Sequence, residues 1–493
     1  MNFTSEGPKR HIDKSQFIYD IASFLTGPKQ GFNPYLPTWE YIPDGEPYVF
    51  GDRVYVYGSH DTFNGATFCP GDYVCWSAPV DDLANWRYEG VIYESTQDPF
   101  NPDREMCLYA PDVTVGPDGR YYLFYVLDRV GNVSVAVCDT PAGKYKFHGY
   151  VHYPDGTLYG DKECDEPQFD PGVLTEGDKT YLYTGFCGQT DASRHGAMYT
   201  CLDSDMLTIL TDAPKFVAPG KMHSEGSDFV GHAFFEAPSI RKNGDTYYFV
   251  YSSEVMHELC YATSKYPDRD FKYGGVIVSN ADIGIDSYKP ADFPTGFGGN
   301  NHGSIVQIKD KWYIFYHRQT NNHWFSRQGC VEEIKFNADG SITQVEMTSC
   351  GSNNGRSLND KAEYPASIAC NMFSDKKEIY VGGGQPFITQ YGKDGDVCNA
   401  FIKNITEGFT FGFKYFDVKA VKGFYIRVNG YGSGTFELRT SIGGEVLGRM
   451  TINNCNIPTK FETPASIPDG KTAIYLTYTG GGTINLQSFG FVH

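Results

Sequence analysis

The sequence predicts an all-β protein, a five-bladed β-propeller followed by a β-sandwich. Three observations carry that prediction. First, the composition is rich in turn formers and aromatics: of 493 residues 55 are Gly and 27 Pro, and 37 Tyr, 35 Phe and 5 Trp bring the aromatic share to 16%. Such a chain suits many short strands joined by tight turns better than long helices. Second, one hairpin pattern recurs five times. Third, strand-like segments continue after the last copy, but without that pattern.

The repeat begins with an acidic residue or His, then small residues or Pro, an apolar strand, a turn, and a second strand rich in Tyr and Phe. Its copies read DGEPYVFGDRVYVYGSHD from Asp44, DVTVGPDGRYYLFYVLD from Asp112, DPGVLTEGDKTYLYTGF from Asp170, EAPSIRKNGDTYYFVYSS from Glu236 and HGSIVQIKDKWYIFYHRQ from His302, with lead residues 68, 58, 66 and 66 positions apart. Each copy is a hairpin by its own chemistry, because apolar residues flank G-D, P-D-G, G-D, N-G-D or K-D, residues that tolerate left-handed backbone. A further apolar pair follows each copy, as in VSVAVCDTPAGKYKFHGY from Val133. Four strands per repeat, five times over, make a five-bladed propeller.

The elements then fall in order. Residues 1–32 show no pattern and are expected to form an N-terminal arm on the propeller, which spans 33–349. Residues 350–360, CGSNNGRSLND, are polar and aperiodic, a predicted linker. Residues 361–493 carry FTFGFKYFDV, GFYIRVNGYGSGTFELRTS, TAIYLTYTG and TINLQSFGFVH, short strands that predict a sandwich.

Charge and cysteine usage exclude several functions. The 41 Lys and Arg against 60 Asp and Glu give a formal charge of −19, which repels nucleic-acid phosphates and anionic membrane surfaces. The 13 cysteines include no C-x-x-C, so neither a disulfide framework nor a zinc site is signalled. No apolar run is long enough to span a membrane. The opening residues lack an apolar leader core, which predicts a cytoplasmic protein, or a secreted one if a leader has been removed. Nothing in the sequence fixes an oligomeric state.

In a propeller the innermost strands run beside the central axis, so the lead residues Asp44, Asp112, Asp170, Glu236 and His302 should converge at one end of it. Any one carboxylate could simply cap a turn. Four together repel, and some must be protonated, hydrogen-bonded or paired with a cation. Glycosidic cleavage uses such a set, one carboxyl protonated to assist the leaving oxygen and one ionised as base or nucleophile. Spacings of roughly 5–5.5 Å give retention and roughly 6.5–9.5 Å inversion.

The blade starts resemble those of glycoside hydrolase family 43 over roughly residues 33–345, a family of inverting α-L-arabinofuranosidases, β-xylosidases and arabinanases. In NPYLPTWEYIPDGEPYVFGDRVYVYGSHD the family's general base falls on Asp44, although the usual D-P-S reads Asp44-Gly45-Glu46-Pro47 here. YAPDVTVGPDGRYYLFY is similar to W-A-P-D, with Tyr109 in place of Trp, and implies Asp112 as the residue that orients the acid and tunes its pKa. FFEAPSIRKNGDTYYFVYSS matches E-A-P and implies Glu236 as general acid. His302 corresponds to an axial His that contacts hydrated calcium or another central ion, or else is structural. Arg327, five residues before Glu332, corresponds to a substrate-binding Arg, or else forms a surface ion pair. Asp170, in FDPGVL, holds strand amides or takes part in catalysis. The C-terminal segment resembles carbohydrate-binding module family 6, through KAEYPASIACN, DVKAVKGFYIRVNGYGSGTFELR and TINLQSFGFVH, with Glu363 at the place of a structural calcium ligand. It either binds glycan or only packs on the propeller.

Together these features imply an inverting exo-glycoside hydrolase that releases terminal α-L-arabinofuranose or β-D-xylose from plant hemicellulose glycans, with no cofactor required for the chemistry and calcium at most structural. An endo-acting arabinanase, a retaining fructan hydrolase and a non-catalytic glycan-binding propeller are the alternatives. Against the fructan enzyme stands the absence of an arginine immediately before Asp112.

Overall fold

The computed structural model describes residues 30–493 except Cys164 and Asp212. The expected N-terminal arm therefore lies almost wholly outside the described residues. Among these the only helical pieces are four short 3-10 turns, and everything else regular is β.

Blade one is β1 (Glu46–Phe50), β2 (Arg53–Tyr57), β3 (Tyr73–Pro79) and β4 (Arg87–Tyr93); blade two is β5 (Asp112–Val115), β6 (Tyr121–Tyr125), β7 (Ser134–Cys138) and β8 (Lys146–Tyr150). Blade three is β9 (Gly172–Glu176), β10 (Lys179–Thr184), β11 (Gly196–Leu202) and β12 (Lys215–Pro219); blade four is β13 (Phe234–Asn243), β14 (Thr246–Ser253), β15 (Glu258–Ser264) and β16 (Lys272–Ser279). Each blade pairs its strands in chain order, antiparallel throughout. The predicted hairpins form where the turn residues sit, for example at Gly51, whose φ of +63° opens the β1–β2 turn.

The middle strands lack a polar face because both their faces are buried. In β6, Tyr122 and Phe124 enter an apolar cluster shared with blade three, while Leu123 and Tyr125 enter one shared with blade one. In β14, Tyr247, Phe249 and Tyr251 face blade three and Tyr248 and Val250 face blade five. This is the period-two alternation of a strand packed between two sheets. Every junction between neighbouring blades has one such cluster, including the one that closes the ring, where Val306, Phe315 and Val331 of blade five meet Val54, Val56 and Trp76 of blade one. The inner strands approach closely. A Cβ on Gly172 would lie 2.1 Å from the Pro238 carbonyl oxygen of the next blade, so only glycine fits there.

Blade five departs from the expected four strands. It holds three, β17 (Ile305–Ile308), β18 (Lys311–Gln319) and β19 (Arg327–Ile334). The edge of β19 is instead sealed by the segment that precedes blade one. The Asn33 side chain accepts from Val331 N–H (2.9 Å) and donates to the Val331 carbonyl (3.2 Å), and Tyr35 N–H donates to the Gly329 carbonyl (3.2 Å). A fourth strand has no unpaired edge left there.

Beyond blade five, one ten-stranded sheet curls round its own apolar core. Its two long strands, Gly423–Arg439 and Gly470–Val492, pair from Gly423↔Val492 to Arg439↔Tyr475. Phe411, Phe413, Phe424 and Phe489 lie at the centre, fully buried. The predicted linker is not free chain: Leu358–Asn359 joins this sheet beside Phe416–Asp417, and Asn354 accepts from Leu83 N–H of the propeller. The two halves are locked by buried polar contacts. Lys414 reaches Glu346 (2.8 Å) and Asp282 (3.4 Å), and Arg318 donates to the Ser367 and Ala369 carbonyls.

Candidate active site

At one end of the propeller axis lies a cavity of about 330 Å³. Asp44, Ala110, Asp170, Glu236 and His302 line it, one residue from each blade, at spacings of 66, 60, 66 and 66. The predicted convergence is therefore present, but blade two supplies Ala110 in place of Asp112.

Asp112 belongs to a second, deeper layer. It is fully buried, accepts from Tyr48 Oη (2.7 Å) and the Val113 and Val173 N–H groups (both 2.7 Å), and is not among the residues lining the cavity. Its charged neighbours are Glu46 and Arg241 rather than Glu236. Arg241 pairs with Glu46 (2.6 Å), which also accepts from Ser239 (3.0 Å). The offset follows from the blade-two spelling A-P-D, which sets its acid two extended residues past the lead position, roughly 6–7 Å along the strand.

In the cavity layer, Asp44 and Asp170 both take left-handed backbone, at φ +58° and +43°, and Ala237 beside Glu236 does so at +64°. Asp and Asn tolerate this region best, and such strain concentrates at functional sites. Asp44 is buried against Arg327 Nη1 (2.8 Å) and His317 Nδ1 (3.3 Å). Burial alone would raise its pKa, but the Arg327 guanidinium and the His317 hydrogen bond hold the carboxyl well below the usual carboxylate range.

Glu236 goes the other way. Burial, then the charge of Asp44, push its carboxyl up to about 8. Asp170 is likewise raised, by burial, Glu236 and Asp44 in that order, although the Ala237 N–H donates to it. Both carboxyls are thus biased toward the protonated form at neutral pH, while Asp44 stays ionised.

Arg327 is buried and bidentate on Asp61 (Nε–Oδ2 2.8 Å, Nη2–Oδ1 3.1 Å) as well as paired with Asp44. The alternative of a surface ion pair with Glu332 is excluded, since Glu332 is engaged by Asn33 and Thr348. His302 places Nδ1 3.9 Å from Asp44 and 3.7 Å from Asp170, and Nε2 3.9 Å from Glu46, so it bridges the two layers. Burial lowers its pKa to about 4, which keeps the ring neutral.

The walls are aromatic. Tyr109, Phe169, Phe186 and Phe235 form a continuous arc, ring to ring at 5.5, 5.4 and 5.1 Å, and Phe68 and Trp324 stand among the other lining residues. Asn300, on the loop before His302, hydrogen-bonds Glu236 and gives its carbonyl to His317 Nε2 (2.7 Å). Asn300, Asp61, His317 and Trp324 carry no local sequence signal. Polar residues at the floor and flat apolar walls suit a sugar ring, whose hydroxyls need partners and whose C–H faces stack on aromatics.

A family model, glycosyl hydrolases family 43, matches residues 41–342. The chain belongs to glycosyl hydrolases family 43. This family 43 protein is a glycoside hydrolase and is 63% identical over 468 residues, 94% of its length and 98% of the relative's, to a xylosidase/arabinosidase of Thermoclostridium stercorarium. It is 24% identical over 498 residues, 93% of its length and 72% of the relative's, to an arabinoxylan arabinofuranohydrolase of Paenibacillus polymyxa. In fold it is similar to a family 43 arabinoxylan arabinofuranohydrolase from Bacillus subtilis, solved in complex with cellotetraose, at 22% identity and a TM-score of 0.52 over 95% of this chain and 99% of that one.

Glu363 does not fit a calcium site. Its carboxylate accepts from Arg427 Nε (2.8 Å), Tyr425 Oη (3.1 Å) and Ser488 Oγ, whereas calcium needs six to eight oxygens. His302 offers an imidazole and Asp44 beside it is bound to Arg327, so His302 could meet a hydrated calcium only through that ion's water. No described helix is long and apolar enough to cross a membrane.

Proposed function

We propose that the protein is an inverting exo-glycoside hydrolase that releases terminal α-L-arabinofuranose or β-D-xylose from xylan-derived glycans. The observation that carries this reading is the placement of two carboxyls in one cavity, Asp44 paired with Arg327, which favours its ionised form, and Glu236 buried beside that charge, which favours its neutral form. Its relatives, a xylosidase/arabinosidase and an arabinoxylan arabinofuranohydrolase, support the pentose and the polymer.

Glu236 gives its proton to the glycosidic oxygen as the C1–O bond breaks. Asp44 takes a proton from water as the water oxygen bonds C1 from the opposite face, which inverts the anomer. Arg327 keeps Asp44 ionised without neutralising it by proton transfer. Asp170, rather than Asp112, is the second carboxyl that interacts with Glu236, because both line the same cavity. No cofactor enters this proton balance, and Arg327 acts through Asp44 while His302 bridges Asp44, Asp170 and Glu46.

The test is the initial rate on the 4-nitrophenyl α-L-arabinofuranoside and β-D-xylopyranoside, with proton NMR of the sugar at early times. A rate on either with the inverted anomer is expected, and the ratio of the two sets the specificity. A first-formed retained anomer would refute inversion. No rate on either, with chain cutting of linear arabinan, would replace this reading by the endo-acting one.

A further inference from the structure

The sugar that reacts must sit on the cavity floor between Asp44 and Glu236, so the rest of the glycan leaves through the mouth. The rim on the side of blade five is not made by the propeller alone. Trp324 lines the cavity from the loop between β18 and β19. Against it stacks Tyr380 of the C-terminal half, ring centroids 6.2 Å apart and planes 22° from parallel. Tyr380 remains 40% exposed, a large ring on the surface with no burial role to explain it.

Its segment is fixed to the two loops that carry cavity residues. Gly298 N–H donates to the Ile379 carbonyl and Gly298 bridges Tyr380, two residues before Asn300. Asn321 N–H donates to the Ile388 carbonyl (2.8 Å) and Asn321 Oδ1 accepts from Thr389 Oγ1 (2.6 Å), three residues before Trp324. Gln385 closes the turn behind the ring by donating to the Tyr380 carbonyl (3.3 Å). A flat aromatic pair, preorganised by backbone contacts and running from inside the cavity to its rim, is a stacking surface for the next sugar ring.

We propose that Tyr380, together with Trp324, forms the subsite for the first sugar on the leaving-group side, so that the C-terminal half supplies substrate specificity to the propeller's active site. This rests on the exo-hydrolase reading above. The experiment compares Tyr380→Ala and Tyr380→Phe with the unmodified protein on two substrates bearing the same pentose. One is the pentosyl fluoride, whose leaving group is a single atom, and the other is that pentose on a xylo-oligosaccharide.

Tyr380→Ala is expected to lower kcat/KM on the oligosaccharide about five- to thirty-fold, mostly through KM, and to leave the fluoride within about twofold. Tyr380→Phe, which keeps the ring, should restore the oligosaccharide rate. An unchanged oligosaccharide rate in Tyr380→Ala, or an equal loss on both substrates, overturns the subsite. If the unmodified protein turns over neither substrate, the exo-hydrolase reading itself fails and this inference falls with it.

Discussion

Two clusters of buried carboxylates lie one above the other on the propeller axis, each built round a single buried arginine, and they differ in what their acids touch. In the deeper layer Asp112 accepts three hydrogen bonds of 2.7 Å and Glu46 Oε2 is held by Arg241 and Ser239, so both acids are tied to protein donors. In the upper layer Glu236 and Asp170 face the cavity, and only Asp44 is firmly paired. The same residue types make a fastener where donors surround them and a reactive site where they do not. Saturated carboxylates have no remaining capacity to exchange protons with a substrate.

The largest effect that separates the layers is on rate. Glu236→Ala should lower kcat/KM on oligosaccharides by about 10²–10⁴-fold while leaving the thermal midpoint nearly unchanged. The loss should be much smaller with 4-nitrophenyl glycosides, whose leaving group needs little protonation. Equal losses on both substrates would remove Glu236 from the acid role.

Next in size is the effect on stability. Asp112→Asn puts an amide NH₂ against backbone N–H donors and should cost about 2–4 kcal/mol, read from the urea midpoint, with the rate per folded molecule held within a few-fold. A stable Asp112→Asn protein that is a hundred-fold slower would return this residue to the catalytic layer.

The smallest effect is on pH. Glu236 carries its proton below about 8, so kcat/KM should fall as pH rises through that value. Asp44 is held well below the usual carboxylate range and adds no acid limb near neutrality. Asp170, itself raised, carries no charge while Glu236 titrates, so Asp170→Asn should leave the alkaline limb in place to within about half a unit. A limb that moves to lower pH would show Asp170 charged beside Glu236.

Much of the upper layer was legible because the repeat marks where each inner strand begins, and Asp44, Glu236 and His302 stand at those starts. Arg327 was legible only through the resemblance, and its true partners, Asp44 and Asp61, lie 283 and 266 residues away in sequence. Asp112 misled because one blade spells its start with the acid two residues late, and a two-residue shift in a strand keeps the face but changes the depth. Asp170 had the right spacing, but its FDPGVL motif fits a carboxylate holding strand amides as well as a catalytic one. The aromatic arc was hidden by abundance, since Tyr and Phe of the cavity read like those of the blade cores. The pairing of Trp324 with Tyr380 joins two halves of the chain and leaves no local trace. The missing fourth strand of blade five was equally non-local, its place being taken by residues from before blade one.

That sealing of β19 also orders events in time. Asn33 and Val331 are 298 positions apart, so a chain emerging from the ribosome exposes Asn33 and Tyr35 long before their partners exist. The first blade must wait, its outer face unmatched, until the last has been synthesised, and contacts of such long sequence separation form slowly. Closure of the ring is therefore a late step of folding, and the cavity, which takes one residue from every blade, is assembled only when it occurs.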